Sequence, residues 1–220
     1  MTTYTGDRPE ILRFCDFGFK TVLDVGCGEG GLARHLRDRA AAICGIEPEP
    51  SHAGLASEQY DDFYGVRVEE ALDGPLRGRS FDLIIVADVL EHLVDPWTVT
   101  QRLVDHLGPN GKMMISVPNV GNVVVLKQLL RHGDWRYDDA DMFDRTHLRW
   151  FGRQTLRELM AGAGLRPERW GARLSIAVKA VGTNRLVDNA NHIPSLAIYQ
   201  HHILARRARG AEQDNARGLL

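Results

Sequence analysis

Short apolar runs recur along the chain and alternate with stretches in which apolar residues return every three or four positions. Several of the runs are apolar on consecutive residues, which is typical of strands that helices cover on both faces of a mainly parallel sheet. The pattern predicts strands at residues 20–25, 41–47, 63–68, 81–87, 112–118 and 195–205.

The segments between these runs have the spacing of amphipathic helices. Val99, Leu103 and Leu107 are spaced to line one helical face. Asp95 and Pro96 precede them and are the residue types that favour an N-cap and a first helical position. Because strands and helices alternate along the chain, the sequence predicts a doubly wound α/β domain.

Two segments interrupt this alternation. Residues 120–152 follow the fifth run and join a helical pattern to a charged, aromatic-rich stretch. We expect this insertion, or lid, to lie over the carboxyl ends of the strands, where α/β domains bind ligands. Residues 207–220 are polar, so we expect them to form a disordered tail. The predicted organisation is one domain, residues 1–206, followed by that tail.

Composition narrows the class of protein. The 220 residues are 44% hydrophobic, enough for one sizeable core, and the net charge of −2 gives no bulk attraction to nucleic acid. Cys15, Cys27 and Cys44 are too few and too scattered for a disulfide framework or a metal knuckle. No segment approaches the roughly 20 apolar residues of a membrane span, and the first residues lack the core of a signal peptide. We therefore expect a soluble, cytoplasmic protein without a membrane span or a nucleic-acid partner; its oligomeric state stays open.

Glycines follow the first predicted strand. Gly26, Gly28 and Gly31 fit the G-x-G-x-x-G pattern of dinucleotide-binding domains, whereas Gly26, Gly28 and Gly30 fit G-x-G-x-G. Both patterns need residues without a Cβ, because the chain turns tightly and a ligand lies against its backbone. The glycines alone leave the ligand undecided.

Acidic residues near these glycines favour a cationic ligand. Asp24 ends the strand and Glu29 lies within the turn, where both would oppose a pyrophosphate at the start of the next helix. S-adenosylmethionine carries an ammonium and a sulfonium, and its ribose suits a carboxylate at the end of the next strand. Glu47 occupies that position, after the run ICGI.

A further block narrows the class of protein. Residues 81–96, FDLIIVADVLEHLVDP, combine an apolar strand, an acidic loop and a helix start. Together with VLDVGCGEG and GIEP, this block resembles the class I S-adenosylmethionine-dependent methyltransferases over roughly residues 4–206. The ubiquinone-type enzymes and those acting on sugars or natural products are the most similar branches. The resemblance implies a Rossmann-like, doubly wound sheet of seven strands, mainly parallel with the last strand antiparallel, and a helical or loop insertion after strand 5.

The resemblance also implies which residues hold the cofactor. Glu47 should accept hydrogen bonds from the ribose hydroxyls, and Tyr4 and Arg8 should reach the methionine carboxylate. Val68 stands at the end of the third predicted strand, beside the adenine, where the family often has an aspartate. The full set of cofactor-binding residues expected from the resemblance is Tyr4, Arg8, Asp24, Gly26, Cys27, Gly28, Glu47, Pro48, Val68, Glu69, Ala87 and Asp88.

The insertion supplies candidate residues for the methyl acceptor. His147, with Asp144 nearby, is the candidate general base, since histidine is the side chain that titrates near neutrality without perturbation. The alternative for His147 is a structural role in which it hydrogen-bonds a backbone carbonyl. The residues expected to contact the acceptor are Tyr137, Arg145, Arg149 and Trp150.

The sequence therefore predicts methyl transfer from S-adenosylmethionine to a small-molecule acceptor, by O-methylation of a sugar or natural-product hydroxyl. Three alternatives remain: N-methylation of a small amine, an NAD-dependent oxidoreductase, and a cofactor-binding module without catalysis. Asp88, Glu91 and His92 have a spacing that would let them face one divalent cation, but with no further ligand in sight we expect no metal.

Overall fold

An eight-stranded mixed sheet forms the centre of the protein. The computed structural model describes residues 7–139, 141–175 and 186–209. The strand order is β3-β2-β1-β4-β5-β8-β6-β7, and β1 to β5 are parallel. The strands are β1 Thr21–Val25, β2 Ala42–Ile46, β3 Asp62–Tyr64, β4 Phe81–Ala87, β5 Leu107–Pro118, β6 Leu165–Leu174, β7 Leu186–Val187 and β8 Ile198–Arg207.

The predicted mainly parallel sheet with an antiparallel last strand is confirmed, but the predicted number of seven strands is wrong for the described residues. Strand β8 lies antiparallel between β5 and β6, and the additional strand is the two-residue β7 at the edge. The third strand ends at Tyr64 instead of residue 68, and Val68 begins a helix. Strand β6 has no apolar run, so its sequence gave no strand signal.

Helices cover both faces of this sheet. They are α1 Ala33–Leu36, α2 Pro50–Ser57, α3 Val68–Asp73, α4 Pro96–Asp105, α5 Val123–His132 and α6 Arg153–Gly162. The predicted start of α4 is present: the Asp95 side chain accepts a hydrogen bond from the Thr98 N–H at 3.0 Å, and Pro96 is the first helical residue. This cap satisfies one of the backbone donors left free at a helix start.

The central strands are buried on both faces. Along β4, Leu83 and Ile85 belong to one core cluster, whereas Ile84 and Val86 belong to the other. Successive side chains of a strand point to opposite faces, so a consecutive apolar run contributes to two cores at once. This accounts for the unbroken apolar pattern of these strands.

The predicted insertion leaves and rejoins the sheet at one point. Asn119 forms an isolated bridge with Phe151, and the Val120 N–H donates to the Phe151 carbonyl at 2.9 Å. Helix α5 begins behind the Asn122 side chain, which accepts a hydrogen bond from the Val124 N–H at 2.8 Å, and ends at the left-handed Gly133. The insertion is thus tied at its base, and it carries its helix away from the sheet.

Two predicted features fall partly or wholly outside the described residues. Tyr4 lies outside them, as does most of the predicted tail. Within residues 207–209, Arg207 is the last residue of β8 and donates a hydrogen bond to the Leu107 carbonyl at 3.0 Å. None of the described helices combines the length and the apolar character that crossing a membrane requires.

Candidate active site

The chain turns sharply where β1 ends. Gly26 and Gly28 have φ values of 67° and 55°, in the left-handed region that favours glycine. The Gly26 N–H donates to the Ile46 carbonyl at 2.8 Å, which joins the turn to β2. A Cβ on Gly26 would lie 2.4 Å from a methyl carbon of Val89, in the loop after β4. Gly26 is therefore required on both conformational and steric grounds.

Glu47 follows β2 and faces the glycine turn. Its buried carboxylate accepts hydrogen bonds from the backbone N–H groups of Gly28, at 2.8 Å, and Glu49, at 2.9 Å. The turn and the strand end thus hold this carboxylate at the wall of a cavity.

Asp24 lies behind the turn and does not line this cavity. Its carboxylate accepts a hydrogen bond of 2.6 Å from the Tyr60 hydroxyl. The Tyr60 ring covers Gly45, the β2 residue paired with Asp24, and a Cβ there would lie 2.8 Å from the ring. Burial raises the pKa of Asp24 to about 7, against the lowering effect of the Tyr60 hydrogen bond. Asp24 and Tyr60 therefore form a buried support for the turn.

The loop after β4 begins with a third carboxylate, which is half-buried. Asp88 has a φ of 55°, the only positive value among the described residues other than glycine. It pairs with Arg8 and accepts a hydrogen bond from Gln200 on β8. Burial raises the pKa of Asp88, and the positive charges of Arg8 and Arg173 oppose that effect. A residue held in this conformation costs about 1–3 kcal/mol, so the surrounding contacts must maintain it.

Glu91 is the most isolated buried carboxyl group of the site. Its side chain is 1% exposed, and neither carboxylate oxygen has a hydrogen-bond partner among the described residues. Burial, and next the charge of Asp88, raise the pKa of Glu91 well above its usual value. Because a buried polar group without a partner is costly, a group of this kind indicates a position built for a ligand.

The insertion brings His147 to Glu91. The backbone N–H groups of Leu148 and Arg149 donate to the Glu91 carbonyl at 2.7 and 3.0 Å, which fixes the return of the insertion. The buried His147 ring meets the His92 ring edge-on, with 4.7 Å between the ring centroids. Desolvation lowers the pKa of His92, and the facing His147 lowers it further.

Asp144 and Thr146 complete this group of side chains. The Thr146 hydroxyl lies 2.6 Å from a carboxylate oxygen of Asp144 and 3.1 Å from Nδ1 of His92. Although partial burial opposes it, the hydrogen bonds from Thr146 lower the pKa of Asp144. A charged Asp144 thus lies one hydroxyl away from His92, and both residues lie beside His147.

A cation could bind at the same place. Its ligands would differ from Asp88, Glu91 and His92, the three residues that the sequence spacing suggested. Glu91, His92 and His147 each offer one ligand atom, and these atoms lie within 4.8 Å of one another. Asp88 is absent from this group because its carboxylate turns to Arg8 and Gln200. The spacing in sequence suggested three ligands on one turn, whereas the fold replaces Asp88 with a histidine of the insertion.

One cavity of about 760 Å³ connects these features. We call its two ends the glycine half, formed by Gly26, Glu47, Pro48, Val68 and Glu69, and the histidine half, formed by Glu91, His92, Asp144, Thr146 and His147. Val68 and Glu69 reach it from the first turn of α3. The described residues predicted for the site that line the cavity are Arg8, Gly26, Glu47, Pro48, Val68, Glu69, Asp88, Asp144 and His147.

Other predicted residues lie outside the cavity wall. Arg145 pairs with Asp139 at 2.8 Å, and Arg149 donates to the Leu148 carbonyl at 3.1 Å. Trp150 packs edge-on against Trp135 within the insertion. The residues predicted for the site that are described but do not line the cavity are Asp24, Cys27, Gly28, Ala87, Tyr137, Arg145, Arg149 and Trp150.

Several cavity residues gave no signal in the sequence. Arg173 is the last residue but one of β6, and Tyr199 and Gln200 follow the first residue of β8. The antiparallel pairing of these strands brings all three to the edge where the parallel strands end. Met142 reaches the cavity from the insertion. Because β6 has no apolar run, only the sheet pairing reveals Arg173.

The comparisons with known proteins match this architecture. Residues 8–169 match a family model described as a methyltransferase domain. The ubiquinone biosynthesis O-methyltransferase of Azorhizobium caulinodans is 33% identical over 134 residues, which cover 53% of this chain and 51% of that protein. The tocopherol O-methyltransferase of Arabidopsis thaliana is 33% identical over 102 residues, 44% of this chain and 29% of that protein. The chain thus spans about half or less of these two relatives.

Solved structures share the fold at low sequence identity. A possible histamine N-methyltransferase from Thermotoga maritima has a TM-score of 0.67 and 15% identity, with 91% of this chain and 87% of that chain covered. The N-methyltransferase NodS of Bradyrhizobium japonicum, in complex with S-adenosyl-L-homocysteine, has a TM-score of 0.59 and 18% identity, with 91% and 85% covered. At these identities the likeness shows the fold alone.

The sheet and its cavity define a Rossmann-like domain with a ligand site at the strand ends. The chain belongs to the methyltransferase domain family, which confirms the resemblance to the class I S-adenosylmethionine-dependent methyltransferases. The domain is accordingly an S-adenosylmethionine-dependent methyltransferase, and S-adenosylmethionine is its cofactor. The glycine half fits that molecule, because Gly26 leaves no room for a side chain and Glu47 and Glu69 are acidic.

Proposed function

We propose that this domain methylates a hydroxyl group of a small-molecule acceptor and that His147 removes the hydroxyl proton. The observation that carries the proposal is the position of His147: the insertion buries it in the cavity that Gly26 and Glu47 also line. One cavity thus offers a site for a cationic nucleoside and a histidine that can accept a proton.

The glycine half holds the cofactor in this proposal. Gly26 and Pro48 bring backbone and an apolar ring to the wall, while Glu47 presents a carboxylate to the ribose hydroxyls. Bound S-adenosylmethionine would supply a methyl carbon on a sulfonium, which the acceptor oxygen attacks in line while S-adenosylhomocysteine leaves as a neutral thioether. The residues of this half bind and orient, which is where much of the rate of such a displacement arises.

The histidine half handles the proton. His147 accepts the proton of the acceptor hydroxyl, and the adjacent His92 stays neutral because desolvation lowers its pKa. Asp144 favours the positive charge that forms on His147, as it lies nearby and carries a lowered pKa. Thr146 joins Asp144 to His92 and keeps both side chains oriented.

The relatives narrow the acceptor only in part. The O-methyltransferases of ubiquinone biosynthesis and of tocopherol favour an O-methyl acceptor for this chain. The ubiquinone biosynthesis relatives favour an acceptor of that kind over a sugar. The sugar or natural-product hydroxyl expected from the sequence therefore has no support from the relatives and stays a prediction. A cytoplasmic location is likewise a prediction.

A second candidate is N-methylation of an amine. The unpartnered carboxyl group of Glu91 is the observation that favours it, because an ionised Glu91 would pair with an alkylammonium group in the cavity. The bound alkylammonium would pass one proton to the Glu91 carboxylate and become a neutral nucleophile, so this reaction has less need of His147 as a base. The two candidates therefore differ in what His147 contributes.

Calorimetric titration followed by a turnover assay tests both candidates. S-adenosylmethionine, S-adenosylhomocysteine and NAD are titrated first; we expect the first two to bind and NAD not to bind. Catechol, glucose and benzylamine are then offered as acceptors. We expect His147→Ala to lower kcat about 10²- to 10⁴-fold for a hydroxyl acceptor without changing cofactor affinity. His132→Ala is the matched control, because His132 is exposed at the end of α5.

Three results would overturn parts of this assignment. Binding of NAD in place of S-adenosylmethionine would remove the methyltransferase assignment. Turnover of benzylamine that survives in His147→Ala would favour N-methylation. Binding of S-adenosylmethionine without transfer to any acceptor offered would favour a binding module without catalysis.

A further inference from the structure

The cavity extends past the histidine half to the antiparallel strands. Arg173, at the end of β6, pairs in register with Gln200 of β8, and Tyr199 precedes Gln200. The guanidinium carbon of Arg173 lies 4.8 Å from the centroid of the Tyr199 ring. Both side chains line the cavity wall. At this end of the cavity, the Arg173 guanidinium therefore stacks on the Tyr199 ring.

Arg173 differs from the other arginines of the cavity. Arg8 pairs with Asp88, and Arg67 pairs with Glu70. Within residues 7–139, 141–175 and 186–209, no carboxylate lies within ion-pair distance of Arg173. A half-buried guanidinium without a counter-ion carries an uncompensated desolvation cost, which a bound anion would offset.

Asp88 attracts Arg173 through space, but it forms no direct ion pair with it. Arg173 is near enough to lower the pKa of Asp88, but the Asp88 carboxylate is occupied by Arg8 and Gln200. Within the described part of the chain no carboxylate forms an ion pair with Arg173, and its side chain lines the cavity.

Stacking on Tyr199 prepares the guanidinium for a planar anion. A guanidinium over an aromatic face keeps its N–H groups at its edge, in the plane where they match the two oxygens of a carboxylate. The ring also limits the conformations of the side chain, so less entropy is lost when an anion binds. The pair therefore suits a carboxylate better than a diffuse negative charge.

The position of Arg173 in the sheet points to the acceptor. Strand β6 lies four strands from β1, whose glycine turn opens the glycine half. At about 4.8 Å per strand, this separation is on the order of 19 Å. Glu91 and His92 of the histidine half follow β4, which stands between β1 and β6 in the sheet order. An anion at Arg173 would thus belong to the molecule that occupies the histidine half.

We propose that Arg173 and Tyr199 form a carboxylate subsite for the methyl acceptor, so that the acceptor is an acidic molecule whose hydroxyl faces His147. This inference rests on the function proposed above, because it requires an acceptor in the same cavity. The cofactor also carries a carboxylate, so the experiment has to distinguish binding of the acceptor carboxylate at Arg173 from binding of the cofactor carboxylate there.

The test compares two probes that differ only in charge. 4-Hydroxybenzoate and 4-hydroxybenzamide are titrated by calorimetry into the full chain saturated with S-adenosylhomocysteine. We expect the benzoate to bind at least tenfold more tightly than the amide. Arg173→Gln should reduce this preference to within twofold, and Arg173→Lys should retain part of it because a lysine keeps the charge but loses the planar fork. Arg157→Gln is the matched control, as Arg157 lies over Trp170 outside the cavity.

Each outcome separates the proposals. Equal affinities of the two probes in the wild type, no binding of either, or a preference that survives in Arg173→Gln would overturn the subsite while S-adenosylhomocysteine still binds. Weaker binding of S-adenosylhomocysteine to Arg173→Gln alone would show that Arg173 holds the cofactor's carboxylate, which also overturns it. If S-adenosylhomocysteine does not bind the wild type, the function proposed above fails together with the subsite.

Discussion

The two halves of the cavity treat their buried carboxyl groups in opposite ways. On the glycine side, Asp24 receives a hydrogen bond from Tyr60, and Glu47 receives two from backbone N–H groups. On the histidine side, Glu91 is equally buried but has no hydrogen-bond partner among the described residues. Hydrogen bonds offset part of the cost of burying an ionised carboxyl group, whereas an unpartnered group carries the whole cost until a ligand arrives.

We infer that Asp24 and Glu47 maintain the structure of the site, whereas Glu91 takes part in binding or catalysis. On the glycine side, loss of Gly26 or of the Tyr60 hydroxyl should lower stability, and the change at Gly26 should also lower cofactor affinity. Changes at Glu91 should raise stability and lower turnover, which is the trade-off expected where function needs a costly group. The following variants test the contrast in order of decreasing effect.

Asp24→Asn should have the largest effect, through pH. The pKa of Asp24 is raised from 3.8 to about 7, so the native state holds the proton more tightly than the unfolded chain does. The stability contribution is therefore present below about pH 4 and is lost as the pH rises to 7, by up to about 4 kcal/mol. Urea unfolding from pH 4 to 8 should show this fall in the wild type but not in the variant.

Asp82→Asn is the control of opposite sign for that series. Backbone hydrogen bonds from Lys20 and Thr21 lower the pKa of Asp82, so its contribution should grow as the pH rises through the acid range. Parallel pH profiles for the wild type and Asp24→Asn would contradict the assignment of a raised pKa to Asp24.

Gly26→Ala should destabilise the protein by about 3 kcal/mol. A left-handed alanine costs about 1–2 kcal/mol, and its Cβ would displace Val89. Affinity for S-adenosylmethionine should fall with stability, measured by denaturant unfolding and calorimetry. Gly18→Ala is the control, since nothing lies within 4 Å of a Cβ there. Retention of wild-type affinity in Gly26→Ala would show that the turn adapts.

Glu91→Gln should raise the free energy of unfolding by about 2 kcal/mol at pH 8. Burial raises the pKa of Glu91, so the wild type loses stability as the pH rises above the usual glutamate range, and the neutral amide does not. The variant and the wild type should agree near pH 4. Methyl transfer should fall at least tenfold, because the cavity loses the carboxyl group.

Glu158→Gln, on the exposed side of α6, is the control for Glu91→Gln and should leave both quantities unchanged. A Glu91→Gln protein that is less stable than the wild type at pH 8 would place Glu91 with the supporting carboxylates and remove the contrast.

Tyr60→Phe should have the smallest effect, about 1–2 kcal/mol at pH 8. The change removes the hydroxyl that donates to Asp24 and leaves a buried carboxylate unpartnered. In the Asp24→Asn background the cost should shrink, so a double-mutant cycle measures the coupling. Tyr137→Phe, at an exposed position, should change stability by less than about 0.5 kcal/mol. Equal costs in both backgrounds would separate Tyr60 from Asp24.

Local patterns predicted the parts of the fold that local interactions determine. The glycine turn after β1 follows from three glycines that have to adopt left-handed φ values, and the start of α4 follows from Asp95 and Pro96. Strand β6 could not be predicted, because its residues become a strand by pairing with β8, distant in sequence. Val68 was assigned to a strand because its apolar neighbours suit either a strand or a helix.

The residues of the site also fall into two groups, those that local motifs predict and those that depend on contacts between distant parts of the chain. Glu47 and His147 were named from motifs, and both line the cavity. Asp24 turns toward Tyr60, a residue that follows the end of α2. This contact between segments that are distant in sequence could not be predicted from local patterns. Arg173 became visible only when the sheet order brought the end of β6 to the cavity.

The closure of the insertion between Asn119 and Phe151 has an evolutionary consequence. The Asn119 and Asn122 side chains donate to the Ile198 carbonyl and anchor the start of the segment, and the bridge between Asn119 and Phe151 holds its end at the same place. A loop whose ends stay together can be lengthened or rewritten at low entropic cost. Under the function proposed above, substitutions or insertions within residues 123–150 could therefore change the acceptor while the anchors Asn122 and Phe151 and the cofactor-binding strands stay the same.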